Sequence, residues 1–223
     1  MKDIRPIKIY KKLHKYFGPQ HWWPAKTQFE VIVGAILTQS TSWKNVEKAI
    51  ASLKKHRLLL PRKILEVGDR RLEIRIKSAG YYRQKAKKLK AFVNHLFKFH
   101  QGKLNKLFAQ PITRLRRELL SIHGIGPETA DSIILYAAGQ PSFVVDAYTK
   151  RIGHRLGLFK FAKYDEIKTF FEKNLPRSIK IYNEFHALLV ELGKRFCRKK
   201  PLCKLCVLNK LCQFSQLGRL SQL

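Results

Sequence analysis

Apolar residues recur at helical rather than strand spacing along nearly the whole chain. Ile7, Ile9, Tyr10, Leu13 and Phe17 mark one face of a basic amphipathic helix within residues 4–17, and a loop, Gly18-Pro19-Gln20-His21-Trp22-Trp23-Pro24, follows it. Thr27 and Glu30 stand three apart as a capping box, opening a helix from Phe29 to Leu37 that is apolar nearly all round and therefore predicted to be buried. The polar stretch Thr38-Gln39-Ser40-Thr41-Ser42-Trp43 leads to a helix with Val46, Ala49, Ile50 and Leu53 on one face. Residues 58–77 are basic and loosely periodic, the pattern of short helices and turns. Ala86, Leu89, Val93 and Leu96 then define the apolar face of another helix, whose lysines Lys85, Lys87, Lys88 and Lys90 are expected in solvent.

The most informative pattern follows. Leu115, Leu119 and Ile122 keep helical spacing, His123-Gly124-Ile125-Gly126-Pro127 breaks it, and Ala130, Ile133, Ile134, Ala137 and Ala138 restart it. This predicts a helix, a tight hairpin and a second helix. The glycines tolerate positive φ, Pro127 suits a first helical turn, and the N–H groups gathered there can hold a phosphate without reading a base. Gly139 stops the helix and Gln140-Pro141 turns the chain. The apolar run Phe143-Val144-Val145 then delivers Asp146 to the start of a helix. An aspartate there is first of all an N-cap worth about 1 kcal/mol, and the helix terminus also favours its anionic form. Two more amphipathic helices are expected at 165–175 and 181–196, the second lined by Phe185, Leu188, Leu189, Leu192 and Phe196. No alternating run demands a sheet and no repeat is present, so the fold class is all-α.

A chain of 223 residues with 45% hydrophobic and 27% charged residues can bury the core of one or two globular domains. The 46 lysines and arginines against 15 acids give +31, a charge that favours a polyanionic partner. Charge alone leaves nucleic acid and anionic membrane surfaces both open, with nucleic acid preferred. No apolar segment approaches a bilayer span, so a soluble, intracellular protein is expected. Cys197, Cys203, Cys206 and Cys212 form C-x5-C-x2-C-x5-C, which can hold one tetrahedral zinc or one cubane cluster; spacing does not choose between them. Such clustering argues against a secreted disulfide framework. The eight histidines show no ligand spacing and read as structural.

The hairpin, the Val-Val-Asp step and the cysteine loop resemble the helix-hairpin-helix (HhH-GPD) DNA glycosylases of the endonuclease III superfamily, over about residues 20–212. The resemblance implies a bilobal fold. A helical-barrel domain would occupy 26–137, with the helix-hairpin-helix at 115–138. A second helical domain would combine 1–25 with 138–223 and carry a cluster loop at 197–212, with a substrate cleft between the two. By resemblance Gly124, Ile125 and Gly126 grip DNA phosphate, Asp146 acts on the glycosidic bond, and Gln39 fills the gap left by an extruded nucleotide. Cys197, Cys203, Cys206 and Cys212 would hold a [4Fe-4S] cluster, zinc being the alternative, although the family usually has six residues in the first gap where this chain has five.

Within that superfamily, Trp-Trp-Pro at 22–24, Phe-Glu at 29–30 and Gly-Ala-Ile-Leu-Thr-Gln-Ser-Thr-Ser-Trp at 34–43 resemble the branch that removes 3-methyladenine and related bases. By resemblance Trp22 or Trp23 and Trp43 would sandwich the extruded base. The physics agrees, since ring alkylation makes a purine cationic and aromatic faces attract cations. Bifunctional members carry a lysine two residues after the second hairpin glycine, where this chain has Glu128. The implied activity is therefore a monofunctional DNA glycosylase without lysine-dependent AP lyase chemistry, working as a monomer on damaged double-stranded DNA in the cytoplasm or nucleoid. Two alternatives stand beside it. One is an endonuclease III-like glycosylase for oxidised or deaminated pyrimidines; the other is a non-catalytic iron-sulfur DNA-binding protein, which would bind duplex and release no base.

Overall fold

A computed structural model describes residues 5–220, with no side-chain detail for 218–220. Every regular element in the described residues is helical. Two compact units form, one from residues up to Trp22 together with those from Pro141 on, the other from Trp23–Gln140. The boundary passes between the adjacent tryptophans.

The unit up to Trp22 and from Pro141 begins with α1 (Pro6–Phe17), which buries Ile9 and Leu13. The unit Trp23–Gln140 contains α2 (Gln28–Leu37), α3 (Trp43–Lys55), α4 (Pro61–Glu66), α5 (Asp69–Arg75), α6 (Tyr82–His100), α7 (Leu104–Phe108), α8 (Ile112–Ser121) and α9 (Pro127–Ser132). Its central helix is α2, buried at every position from Phe29 to Leu37. Thr27 Oγ1 accepts from the Glu30 N–H at 3.1 Å, and the Glu30 carboxylate accepts from the Lys26 N–H at 3.2 Å and from Lys54 Nζ at 2.5 Å. The capping glutamate thus reaches one residue further back than a reciprocal box would, and a lysine neutralises its buried charge.

Lys87 of α6 is exposed as expected, but Lys85, Lys88 and Lys90 depart from a solvated face. Lys85 is 2% exposed and donates from Nζ to Ala79 O at 2.7 Å. Lys90 donates to Leu65 O at 2.9 Å and to Val67 O, and Lys88 donates to Gln39 Oε1. The ammonium groups of Lys85 and Lys90 reach main-chain carbonyls and that of Lys88 a side-chain amide oxygen, acceptors that a periodicity reading cannot see.

In the predicted hairpin, Arg116 of α8 pairs with the fully buried Asp131 of α9 (Nε to Oδ1 3.0 Å, Nη2 to Oδ2 3.2 Å), clamping the two helices together. The second helix continues as a π-helical turn over Ile133–Ala137, closed by the Ala138 N–H on Ile133 O at 2.9 Å.

The remaining helices are α10 (Ala147–Leu156), α11 (Tyr164–Asn174), α12 (Ile179–Arg195) and α13 (Gln213–Leu220). Their core is aromatic: Phe143 stacks on Phe171 at 4.4 Å and meets Tyr182 and Phe185 edge-on. The segment Phe143–Val145 has no neighbouring strand, so its backbone donors need other acceptors. The Phe143 N–H finds Glu172 Oε1 at 2.9 Å and the Val145 N–H the Tyr164 hydroxyl at 3.3 Å. Two side chains of α11 thereby fix the step into Asp146. Gly193 of α12 lets Tyr148 of α10 close in, since a Cβ there would lie 2.1 Å from the ring.

Candidate functional site

Asp146 is the N-cap of α10 in extended backbone conformation, its Oδ1 accepting from the Thr149 N–H at 2.7 Å. Its Oδ2 lies 3.6 Å from His186 Nε2, a contact long for a hydrogen bond but close for charge. Burial pushes the Asp146 carboxyl up, yet His186 and the Thr149 N–H together outweigh burial and hold it below the usual carboxylate range. The Asp146 side chain remains 14% exposed, so this anion is held in place and still reachable. His186, buried on α12, was missed in the sequence, where it counted among structural histidines. The available signal was a single imidazole interrupting the apolar stripe of Phe185, Leu188, Leu189 and Leu192.

Around the hairpin, the structure brings Gln39 to Gly124 of the expected Gly124-Ile125-Gly126 turn. Gln39 follows α2 and donates from Nε2 to Gly124 O at 3.0 Å and to Thr129 Oγ1 at 2.9 Å, while its Oε1 accepts from Lys88. Gly124 has φ +83°, and the Lys88 stem runs so close beneath it that an added Cβ would sit 2.2 Å from Lys88 Cγ. Ile125 serves the turn differently: its N–H closes onto Ile122 O at 3.1 Å and its side chain is buried. Gly126 is exposed, with φ −90° and no atom within 4 Å of an added Cβ. Glu128 lies in the first turn of α9, where a negative charge suits the helix terminus.

The tryptophans do not form a single group. Trp23 and Trp43 meet edge-on, with centroids 5.2 Å apart and planes at 90°, and Tyr136 of the π-helical turn lies 5.2 Å from Trp23. Tyr136 is a further residue that sequence reasoning did not single out. Trp43 Nε1 donates to Glu47 Oε1 at 2.8 Å. In the other unit, Trp22 presents its ring to Lys194 Nζ at 5.6 Å. Trp23 and Trp43 therefore make an aromatic corner with each other, not two parallel faces with a base-wide gap.

Cys197, Cys203, Cys206 and Cys212 are all free thiols and line one pocket with Arg155 and Phe214 among its walls. Burial, and then the neighbouring cysteines, push the Cys206 and Cys212 thiols up. Four cysteine sulfurs lining one pocket fit a metal or iron-sulfur group, which would hold them as thiolates. Arg151 and Arg155 of α10 tie this loop down, through Arg151 Nε on Cys197 O at 2.8 Å and Arg155 Nη2 on Lys199 O at 3.0 Å.

An all-helical chain in which a glycine hairpin precedes a helix-capping aspartate by 20 residues has the build of a DNA repair glycosylase. The chain belongs to the HhH-GPD superfamily of base excision DNA repair proteins, matching it over residues 33–177. A protein of Methanocaldococcus jannaschii that bears the name of a DNA repair glycosylase is 55% identical over 201 residues, covering 89% of this chain and 91% of the relative. Endonuclease III of Thermotoga maritima is 28% identical over 91% of this chain and 86% of its own length. Among solved structures, the 3-methyladenine DNA glycosylase MagIII of H. pylori, bound to 1,N6-ethenoadenine, is similar with a TM-score of 0.78 and 28% identity, covering 86% of this chain and 98% of that one. An endonuclease III–DNA covalent intermediate shares the fold, with a TM-score of 0.82 and 23% identity over 97% of this chain and 99% of that one. No helix among the described residues is long and apolar enough to cross a membrane.

Proposed function

We propose that this DNA glycosylase is monofunctional and hydrolyses the N-glycosidic bond of alkylated, 3-methyladenine-like bases in duplex DNA. The observation that carries the reading is Asp146: an ionised carboxylate, held by Thr149 and His186 and still reachable. With the nucleotide rotated out of the stack, the C1′–N bond breaks and its electron pair leaves with the base. The Asp146 anion stabilises positive charge developing on the sugar and accepts the proton of the water whose oxygen bonds to C1′. An alkylated purine is already cationic and leaves readily, so this carboxylate needs no separate strong acid.

The hairpin holds DNA phosphate through the amides at Gly124 and Gly126, with Ile125 anchoring the turn from inside. Gln39, fastened to the hairpin through Gly124 and Thr129, is the side chain that enters the vacated stack in this reading. Trp22, Trp23 and Trp43 supply aromatic faces for a cationic base. Glu128 offers no amine to form a Schiff base at the position where bifunctional relatives carry lysine. Cys197, Cys203, Cys206 and Cys212 would hold a [4Fe-4S] cluster, or zinc in its place. When bound, that group cross-links the loop 197–212 and presents its basic residues rigidly. MagIII, the similar structure, is itself a 3-methyladenine glycosylase, which favours this substrate class.

The test is base release from duplexes carrying methylated adenine, uracil or oxidised pyrimidine, followed by chromatography and by strand analysis with and without alkali. Methyladenine release that Asp146→Asn loses, with nicks only after alkali, is the expected result. Release of uracil or oxidised pyrimidine alone would replace the substrate class. Nicks without alkali would overturn the monofunctional assignment, and binding without any base release would overturn the catalytic one.

A further inference from the structure

His95 and His100 lie towards the C-terminal end of α6, and Glu118 lies on α8. Both imidazoles direct Nε2 at the same carboxylate oxygen: His95 stands 2.7 Å from Glu118 Oε1, and His100 contacts the same atom. One donor atom from each of the three residues lies within 4.8 Å of the other two. The side chains are 13–18% exposed, sheltered from bulk water but reachable by an ion. Gln110 donates from Nε2 to Glu118 Oε2 at 2.6 Å, which leaves Oε1 turned to the histidines. Hydrogen bonds of this kind orient ligating carboxylates. Gln110 Oε1 is a buried acceptor with no hydrogen-bond partner, a further oxygen beside the group.

We propose that His95, His100 and Glu118 form a divalent-metal site, with zinc the preferred ion, that cross-links the end of α6 to α8. Two imidazoles and one carboxylate match zinc, whereas magnesium and calcium select all-oxygen sets and Cu(I) selects sulfur. Tetrahedral zinc with bonds of about 2.1 Å sets its donors about 3.4 Å apart, so accommodating the ion requires shifts on the order of an ångström. In the absence of metal the same atoms are satisfied as a hydrogen-bonded His–Glu–His group, so the site does not depend on the ion for its existence. Its consequence is mechanical. Helix α8 is the first arm of the hairpin, and α6 carries Lys88, whose stem underlies Gly124. An ion joining them stiffens the base of the phosphate-binding turn.

The sequence obscured this site because His95 and His100 are five residues apart, a spacing that does not stack two side chains on one helical face. Glu118, arriving from another helix, bridges them.

The test uses the full chain after chelator treatment, with Co2+ as the optical probe and Zn2+ for calorimetry and thermal unfolding. Binding of one Co2+ equivalent whose visible bands lack thiolate charge transfer is expected, which separates it from metal on the cysteines. His100→Ala and Glu118→Gln should each weaken Zn2+ binding by at least about tenfold. Zinc should raise the unfolding temperature of the wild type and leave that of these variants unchanged. Because either variant could be perturbed in folding, imidazole NMR signals of the wild type provide the second readout: Zn2+ should shift those of His95 and His100. Equal affinity in wild type and His100→Ala, or unmoved His95 and His100 signals, would overturn the site. Base release plays no part in any of these measurements, so the test stands apart from the glycosylase proposal.

Discussion

At Asp146 the two carboxylate oxygens have separate supports, the Thr149 N–H capping Oδ1 and the His186 imidazole standing beside Oδ2. Removing His186 leaves the Thr149 N–H as the remaining support against burial, and burial disfavours the anion. For His186→Phe we expect the acidic limb of the base-release profile to move to higher pH, with kcat reduced more than KM. An unchanged profile would reduce His186 to packing. Lys85 presents the opposite sign. Burial, and then the nearby Lys88, lower its ammonium to about 8. The unfolded chain keeps this proton up to its ordinary value, so U binds more protons than N between the two and stability rises with pH across that window. The penalty is in full force well below pH 8 and is on the order of 3 kcal/mol. Urea unfolding from pH 7.5 to 10 should show this rise in the wild type and a flatter curve in Lys85→Met, after subtraction of the other groups common to both. Parallel curves would mean that Lys85 keeps its charge without cost.

At the scale of elements, the hairpin separates two kinds of glycine. An alanine at Gly124 meets positive φ and the Lys88 stem at once, so Gly124→Ala should lower the unfolding temperature and loosen Gln39, which bonds to the Gly124 carbonyl. Gly126→Ala meets neither obstacle, and its unfolding temperature should stay near wild type. If backbone at Gly126 lies against phosphate, however, the added methyl group should weaken duplex binding. Anisotropy titration beside calorimetry distinguishes the cases, and a Gly126→Ala protein that binds normally would remove that residue from the grip. This turn was legible in the sequence because glycine and proline interrupt two periodic runs in a way few other structures require. The same is true of the capped helix after Val145. Lys85, Lys88 and Lys90 were not legible, since their acceptors, main-chain carbonyls for Lys85 and Lys90 and the Gln39 side chain for Lys88, come from other segments of the chain. The π-helical turn also left no mark, because Ile133, Ile134 and Ala137 satisfy α-periodicity equally well, and it is this turn that carries Tyr136 to Trp23.

For the whole molecule, residues that act from one stretch of sequence could be read, and residues that act by meeting across elements could not. The cysteine loop and the hairpin lie in single segments. By contrast, His186 joins Asp146 from 40 positions away, and the tryptophan pair at 22–23 divides between two units. The net charge of +31 belongs to no single element and acts on DNA as a field. Phosphate contacts should therefore supply the same salt-dependent attraction to damaged and undamaged duplex, while the aromatic faces and Asp146 add a term that releases no counterions. If on the order of six phosphates are neutralised, the logarithm of the binding constant should fall against the logarithm of salt with a slope of about −5. Duplex carrying an uncleavable abasic analogue and undamaged duplex should then give parallel lines with different intercepts. A steeper line for the damaged duplex, by one unit or more, would show that an additional lysine or arginine engages only when a nucleotide is displaced. Lesion recognition would then be partly ionic, and the search for its residues would move from the tryptophans to the lysines and arginines, beginning with Lys88 beside Gln39.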